Sequence, residues 1–411
     1  MYRINEDEFK EKYILMVPSM MDSLFPLLKY SLFSKNYHPI FLENEEDLIN
    51  TGIKYVHPDM CYPSVLIMGQ FVSALKNCPH DLNKVKLLMP SAGDACRGSN
   101  YVTALRRTVE MMGLKDTVKV LTLNMVGIDP DNQLVINPMM LWRAFFSFFY
   151  GDILMLLVNQ VRPYEKNKGE ADALWQKWID MISDDLKRFR HLTFGHMFRN
   201  FDKICKEFKA IEVTGEKKQK IGMVGELYVK YCHLGNKDMI KFLEEQDCEV
   251  HVNGVTWYLC YYIDSHLASE FGVHNQLPVK TALNFMMYFQ NKMIKAMRKY
   301  GFYTFDGYKE FKAEAEKHVP TGYIVGDGWL IGAETTAHIL HGYRKVLAVQ
   351  PFGCLPNHTC GRGLYPVLSR QFSEGRIVSV DFDASMSLVT AQNRAMMLVQ
   401  CAVDDKSENK D

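Results

Sequence analysis

Val346-Leu-Ala-Val-Gln-Pro-Phe-Gly-Cys354-Leu-Pro-Asn-His358 passes from an unbroken apolar run, through a Pro-Phe-Gly turn, to a cysteine that opens a new helical pattern. A short apolar run bounded by turn residues reads as a buried strand. Pro356 fixes φ and lacks an N–H, which suits the first turn of a helix. The same order recurs in Val85-Lys-Leu-Leu-Met-Pro-Ser-Ala-Gly-Asp-Ala-Cys96-Arg-Gly and in Ile53-Lys-Tyr-Val-His-Pro-Asp-Met-Cys61-Tyr-Pro. Loops leaving the carboxyl ends of strands in an open α/β sheet converge on one crevice, so three thiols distant in sequence are expected to meet there. Each would stand near a helix N-terminus, where the dipole favours the anionic, metal-binding form.

Working outward, strand-like runs at 13–17, 38–42, 53–56, 85–89 and 118–123 alternate with helical patterns at 20–32, 63–76 and 101–112. That alternation predicts βαβ units and a mainly parallel sheet. The polar, turn-rich segment 129–135 reads as a hinge. Residues 137–213 are helical throughout, with Trp175, Trp178, Met181 and Ile182 on one stripe. Alternation resumes at Ile221, with helical signals at 237–245, 258–299, 333–341 and 363–372, strands at 345–349 and 376–382, and a closing helix at 388–403. The expected organisation is an α/β protein of two Rossmann-like lobes, 1–130 and 216–403, with an intervening helical cap or insertion, 131–215, and the site in the cleft between lobes. The charged residues 404–411 are too poor in apolar side chains to fold.

With 411 residues the chain exceeds what one core usually covers, which independently favours two lobes. Lysine plus arginine equals aspartate plus glutamate at 48 each, and no basic stripe stands out, so a nucleic-acid partner is not expected. The first thirty residues carry Glu6, Asp7, Glu8, Glu11 and Asp22, the opposite of a secretory leader, and a cytoplasmic location is expected. Residues 139–161 are apolar enough to suggest a membrane span, yet Arg143, Gly151, Asp152 and Asn159 interrupt them, which predicts a buried helix pair and no membrane. Ten cysteines without an export signal point to reduced thiols, metal ligands or packing residues rather than disulfides.

Cys61-Tyr-Pro, Ala95-Cys96-Arg-Gly-Ser-Asn-Tyr101, Gly222-Met-Val-Gly-Glu-Leu-Tyr-Val-Lys230, Gly326-Asp-Gly-Trp329 and Gln350-Pro-Phe-Gly-Cys354-Leu-Pro-Asn-His358 resemble the signatures of one family. It is the activase-associated branch of the 2-hydroxyacyl-CoA dehydratase superfamily, usually met as the C-terminal portion of acyl-CoA dehydratase activase fusion proteins. The resemblance runs from about Tyr13 to Val403, and the Pro-Phe-x-Cys-Leu-Pro-Asn-His string is its most specific element. It implies an iron–sulfur cluster, [4Fe-4S] or double-cubane, held by three cysteines between Rossmann-like lobes. It further implies a low-potential electron from an ATP-hydrolysing, iron–sulfur-bridged activase homodimer acting in trans, since this chain has no activase domains. Chemistry would be radical dehydration of a 2-hydroxyacyl-CoA, or double-cubane reduction, in anaerobic metabolism. An acyl-CoA substrate and an oligomer are both allowed. The rival expectation is a non-catalytic activase-docking partner, with the same cysteines holding a structural cluster or zinc.

The candidate ligands are therefore Cys61, Cys96 and Cys354, because soft thiolates select iron–sulfur or zinc, although free cysteine is also a common buried small residue. Ferredoxin spacing is absent, so iron and zinc both stay open. Cys360, six residues after Cys354 in a Gly-rich turn, is a candidate fourth or second-cluster ligand. Cys232 is a weaker one, and Cys78, Cys205, Cys248, Cys260 and Cys401 read as packing residues. His358 is a candidate proton donor or a loop-fixing residue. Arg97 is a candidate stabiliser of an anionic cluster or thioester oxygen or an inter-lobe salt bridge. Glu226 and Asp327, beside glycines, are candidates for acid/base work or for turn formation. Gly326-x-Gly328-x-x-x-Gly332 misses the dinucleotide fingerprint, and no Gly-x-x-x-x-Gly-Lys-Ser/Thr string exists, so neither a nicotinamide cofactor nor a P-loop is expected.

Overall fold

The computed structural model describes residues 12–34, 36–42, 47–90, 96–123, 134, 136–267 and 276–402. The first lobe runs β1 (Tyr13–Pro18), α1 (Phe25–Leu32), β2 (Tyr37–Leu42), α2 (Leu48–Gly52), α3 (Tyr62–Lys76), β3 (Val85–Pro90), α4 (Tyr101–Met111) and β4 (Lys119–Leu123). Its sheet is wholly parallel in the order β2-β1-β3-β4, with Tyr13 opposite Tyr37 and Leu87 opposite Val120. β1 is buried over five successive residues, as expected of a strand covered on both faces.

Three helices follow: α5 (Pro138–Val161), α6 (Glu170–Arg188) and α7 (Phe194–Lys209). The second lobe begins with β5 (Gln219–Gly225), α8 (Leu227–Tyr231), α9 (His233–Asn236), α10 (Met239–Glu245), β6 (Cys248–Val252) and α11 (Val255–Tyr261). Helices Gln276–Lys299, Tyr308–Ala315 and Leu330–Leu340 precede β7 (Lys345–Pro351), and helix Tyr365–Gln371 precedes β8 (Arg376–Phe382); helix Leu388–Gln400 closes the described chain. The second sheet, also parallel, has the order β6-β5-β7-β8. Both lobes thus share one topology: the order in which strands are added reverses between the first and third strands, β1/β3 and β5/β7, which is where open α/β sheets bind ligands.

The lobes face each other with these carboxyl ends. Tyr62 at the start of α3 stacks on Phe382 at the end of β8, centroids 6.3 Å apart, and Asp22 N–H donates to Tyr231 O at 3.1 Å. One apolar cluster draws Met16, Leu66 and Leu105 together with Ile221, Leu347 and Phe382, so the seam is part of the core. A second cluster joins Phe146, Phe149, Trp178 and Phe201 of the three helices to Trp257, Phe289, Phe305 and Trp329. The helical segment is thereby packed on the second lobe, and helix Gln276–Lys299 adds to that layer from within the second lobe's sequence.

Three local expectations are corrected. Residues 139–161 form one continuous helix, not a pair. Asn137 caps it by accepting from Met140 N–H at 2.9 Å, and Gly151 is there for close approach: a Cβ would lie 3.1 Å from Leu24 Cδ1 and 3.3 Å from Ser23 O. Extended to Tyr164, this helix is long and apolar enough to cross a membrane, but 72% of its most apolar window is buried inside the protein. Arg143 donates to the carbonyls of Phe33 and Lys187 at 3.1 and 3.3 Å. Residues 53–56 form a turn rather than a strand, closed by Val56 N–H on Gly52 O at 3.1 Å, because four residues interrupted by Lys54 are too few to separate strand from turn. β6, Cys248-Glu-Val-His-Val252, has no counterpart in the expected strands, since its Glu249 and His251 are polar yet buried. The expected hinge at 129–135, apart from Leu134, and the tail at 404–411 lie outside the described residues.

Candidate functional site

Cys354 follows β7 through Phe352 and Gly353, whose φ of +68° turns the chain; Cys354 N–H donates back to Pro351 O at 3.1 Å. A helical stretch begins at Leu355 and widens into a π turn at Asn357–Arg362. The Asn357 side-chain amide donates to Cys354 Sγ at 3.4 Å. Cys61 stands between the 3-10 turn Pro58–Met60 and α3, with Pro63 in the first turn of that helix. Its φ is +153°, where a Cβ is strained by about 1–3 kcal/mol, a cost usually retained at functional positions. Tyr101 Oη–H donates to Cys61 Sγ at 3.3 Å. Cys96 caps the 3-10 turn Arg97–Asn100 that leads into α4, its Sγ accepting Gly98 N–H at 3.3 Å.

Two of these cysteines follow the third strand of their sheets, β3 and β7, and so occupy equivalent places in the two lobes; Cys61 joins them from the connection beyond β2. Cys61 and Cys354 share Glu226. The Glu226 carboxylate acts on both Cys61 and Cys354, and Cys96 and Arg97 also act on Cys61. Arg97 Nη1 donates to Asp59 O at 2.6 Å, and the guanidinium reaches across the seam to Gly353, where a Cβ would lie 3.2 Å from Nη2. Arg97 therefore braces the turn of Cys354 against the turn of Cys61, through a carbonyl and a glycine.

Burial wins over the helix termini. Cys61 and Cys354 are 9% and 8% exposed, and loss of hydration pushes the Cys61 thiol up to about 12 and the Cys354 thiol well above its usual range, in each case with Glu226 adding to the rise. Both are thiols at neutral pH in the metal-free protein, so binding a metal must displace their protons. Among the described residues, Cys61, Cys96 and Cys354 do not gather their ligand atoms within 4.8 Å of one another as donors to one ion would. A cluster spreads its thiolates over different irons, and the donor chemistry of the trio fits that group.

Glu226 caps α8, its Oε2 accepting Val229 N–H at 2.8 Å, and its own N–H donates to Val349 O at 3.1 Å. Gly225 makes this possible: at φ +135° a Cβ would stand 1.9 Å from Val349 O. Burial raises the Glu226 carboxyl above its ordinary value. Asp327 lies between Gly326 and Gly328 and accepts from the Asn357 amide at 3.3 Å. Burial, then the Glu226 charge, push it up to about 8, against the pull of Lys230. Lys230 forms a fully buried ion pair with Glu334 at 2.9 Å, and Asn253 donates to Glu334 at 3.2 Å. The cleft floor is thus a bank of three carboxyls and one ammonium.

The remaining candidates sit apart. His358 turns its Nε2 toward Asp381 Oδ1 at 3.7 Å and its ring edge toward Phe352, while Arg362 pairs with Asp381 at 2.8 Å; its ring is directed to the end of β8. Cys360 is buried in the π turn, 3.5 Å from Thr359 Oγ1, where burial, Thr359 and Asp327 set its state. Cys205, Cys248 and Cys260 are fully buried. Lys230 and Asn357 lie inside quoted sequence strings without having drawn a role, and Glu334 was missed. A glutamate in the apolar helix Leu330–Leu340 was the available signal, since buried carboxylates are rarely unpaired.

The fold defines a two-lobed, parallel α/β protein, with Cys61 and Cys354 buried near the seam between lobes. Compared with known proteins, the chain matches no family model and no curated protein.

Proposed function

We propose that the chain is a cytoplasmic iron–sulfur protein that accepts a low-potential electron from a separate ATP-dependent activase and uses it in reductive or radical chemistry, 2-hydroxyacyl-CoA dehydration being one such reaction. The observation that carries this reading is that Cys61 and Cys354, from opposite lobes and each preceding a helix, come under one carboxylate, Glu226, with Cys96 acting on Cys61. Cys61, Cys96 and Cys354 would hold the cluster, which when bound supplies the one-electron chemistry. The chain itself excludes water from Cys61 and Cys354. Arg97 offsets negative charge beside Cys61. Asp327, largely protonated at neutral pH, holds a proton at Oδ next to the Asn357 amide, and Glu226 is the carboxyl placed between the lobes to exchange one with a bound substrate.

One observation favours the rival, a non-catalytic activase-docking partner with a structural cluster or zinc: Cys61 and Cys354 are both buried, the closed setting of a structural site. Anaerobic purification with iron, sulfide and zinc analysis, followed by EPR of the reduced protein, separates the two. Iron with sulfide and a reduced-state signal that develops with activase, ATP and reductant supports the proposal. Iron-free protein with zinc on these cysteines overturns it.

A further inference from the structure

We propose a second metal site, independent of the cysteine cleft, in which Asp22, Cys232 and His233 bind a zinc-class divalent cation at the junction of the lobes. Asp22 lies in the connection between β1 and α1; Cys232 and His233 join α8 to α9 after β5. These are the connections after the first strand of each sheet, so the site spans the pseudo-equivalent point of both lobes.

The donors are already assembled. His233 Nδ1 stands 2.8 Å from Asp22 Oδ2, and the ligand atoms of all three residues lie within 4.8 Å of one another. The backbone holds them there: Asp22 N–H donates to Tyr231 O at 3.1 Å, and His233 N–H donates to Asp22 Oδ2 at 2.6 Å. One thiolate, one imidazole and one carboxylate form a borderline-soft set that suits zinc better than magnesium or calcium. Two further observations point to a ligand. Tyr228 is buried with its Oη against the Cys232 sulfur, where it would support a thiolate. The ≈ 330 Å³ cavity between α5, α6 and the second lobe has Asp22 and His233 in its wall, with Asn159, whose buried Nδ2 has no partner. Three protein ligands, two of them on the cavity wall and Cys232 buried behind them, leave a fourth position for water or a small ligand, the pattern of an open zinc site. The other compact group, Asp185, His191 and His196, lacks a thiol, so it is the poorer set for zinc.

The test uses protein carrying Cys354→Ser, which removes a ligand of the cleft but none of this site. Zinc retention and cobalt(II) substitution are measured on this background and with Asp22→Asn, His233→Ala and Cys232→Ser added. One equivalent of zinc, a cobalt–thiolate charge-transfer band lost in Cys232→Ser, and zinc affinity lowered at least about 10-fold in Asp22→Asn or His233→Ala are expected. Asp22 is a partly exposed side chain, so Asp22→Asn keeps the test open if the buried Cys232→Ser variant fails to fold. Absence of a cobalt–thiolate band, or equal zinc affinity with and without Asp22→Asn and His233→Ala, overturns the proposal. Iron content of the unmodified protein reports on the cleft alone, so failure of one site is distinguishable from failure of the other.

Discussion

Gly225 shows how one residue can place a site. Its φ of +135° and the 1.9 Å approach that a Cβ would make to Val349 O mean that any side chain must push β5 away from β7. Gly225→Ala is expected to destabilise the protein by at least about 2 kcal/mol, and Glu226 would lose its position between Cys61 and Cys354. A thermal melt indistinguishable from the unmodified protein would refute that. Cys354→Ser, in contrast, should leave the fold largely intact while removing most of the iron, because an alcohol is a hard, poor replacement for a soft thiolate; full iron content with an unchanged EPR spectrum would take Cys354 out of the ligand set. At this scale Cys96, Cys354 and Glu226 were legible as residues after strands, whereas the strand expected before Cys61 is a turn. The direction of the His358 ring was not legible, because a sequence string says nothing about Asp381 arriving from β8.

Among the elements, α5 is the clearest case of context overriding pattern. Its Asp152, fully enclosed, accepts the N–H groups of Val255 and Thr256 at 2.7 Å each and so caps α11 in the other lobe. Burial outweighs these hydrogen bonds and lifts its carboxyl from 3.8 to about 6. A raised carboxyl means that the native state holds the proton more tightly than the unfolded chain. Its contribution to stability is therefore present below about pH 4 and is lost as pH rises through about 6, a change of about 3 kcal/mol at most. The stability difference between the unmodified protein and Asp152→Asn should accordingly be largest near pH 4 and shrink toward pH 7, read from urea midpoints; a pH-independent difference would exclude this role. The charge inside residues 139–161 was visible in sequence as an interruption. Its true use, capping a helix more than a hundred residues away, required the packed structure.

For the whole molecule, the seam between lobes is continuous core, and α5 is buried in the adjoining cluster, with Met155 reaching the seam. Untagged protein is expected to remain in the supernatant after a carbonate wash, and Phe149→Asp, a charge placed at a fully buried position, should lower thermal stability rather than alter partitioning. Recovery in the membrane pellet would contradict the packed role of this helix.

Strand and helix alternation, the apolar runs before Cys96 and Cys354, and the prolines and glycines that end them were enough to determine two parallel α/β lobes, because local patterning sets which faces must be buried. Tertiary structure alone decided that Cys61 reaches the site from a turn rather than a strand, that β6 is a strand despite its polar residues, and that Lys230, Glu334 and Asn357 join Glu226 and Asp327 there. Burial, charge coupling and contacts across the seam depend on which surfaces meet, and residues like Asp22 and Cys232, 210 positions apart, share an environment only once both sheets have folded toward each other.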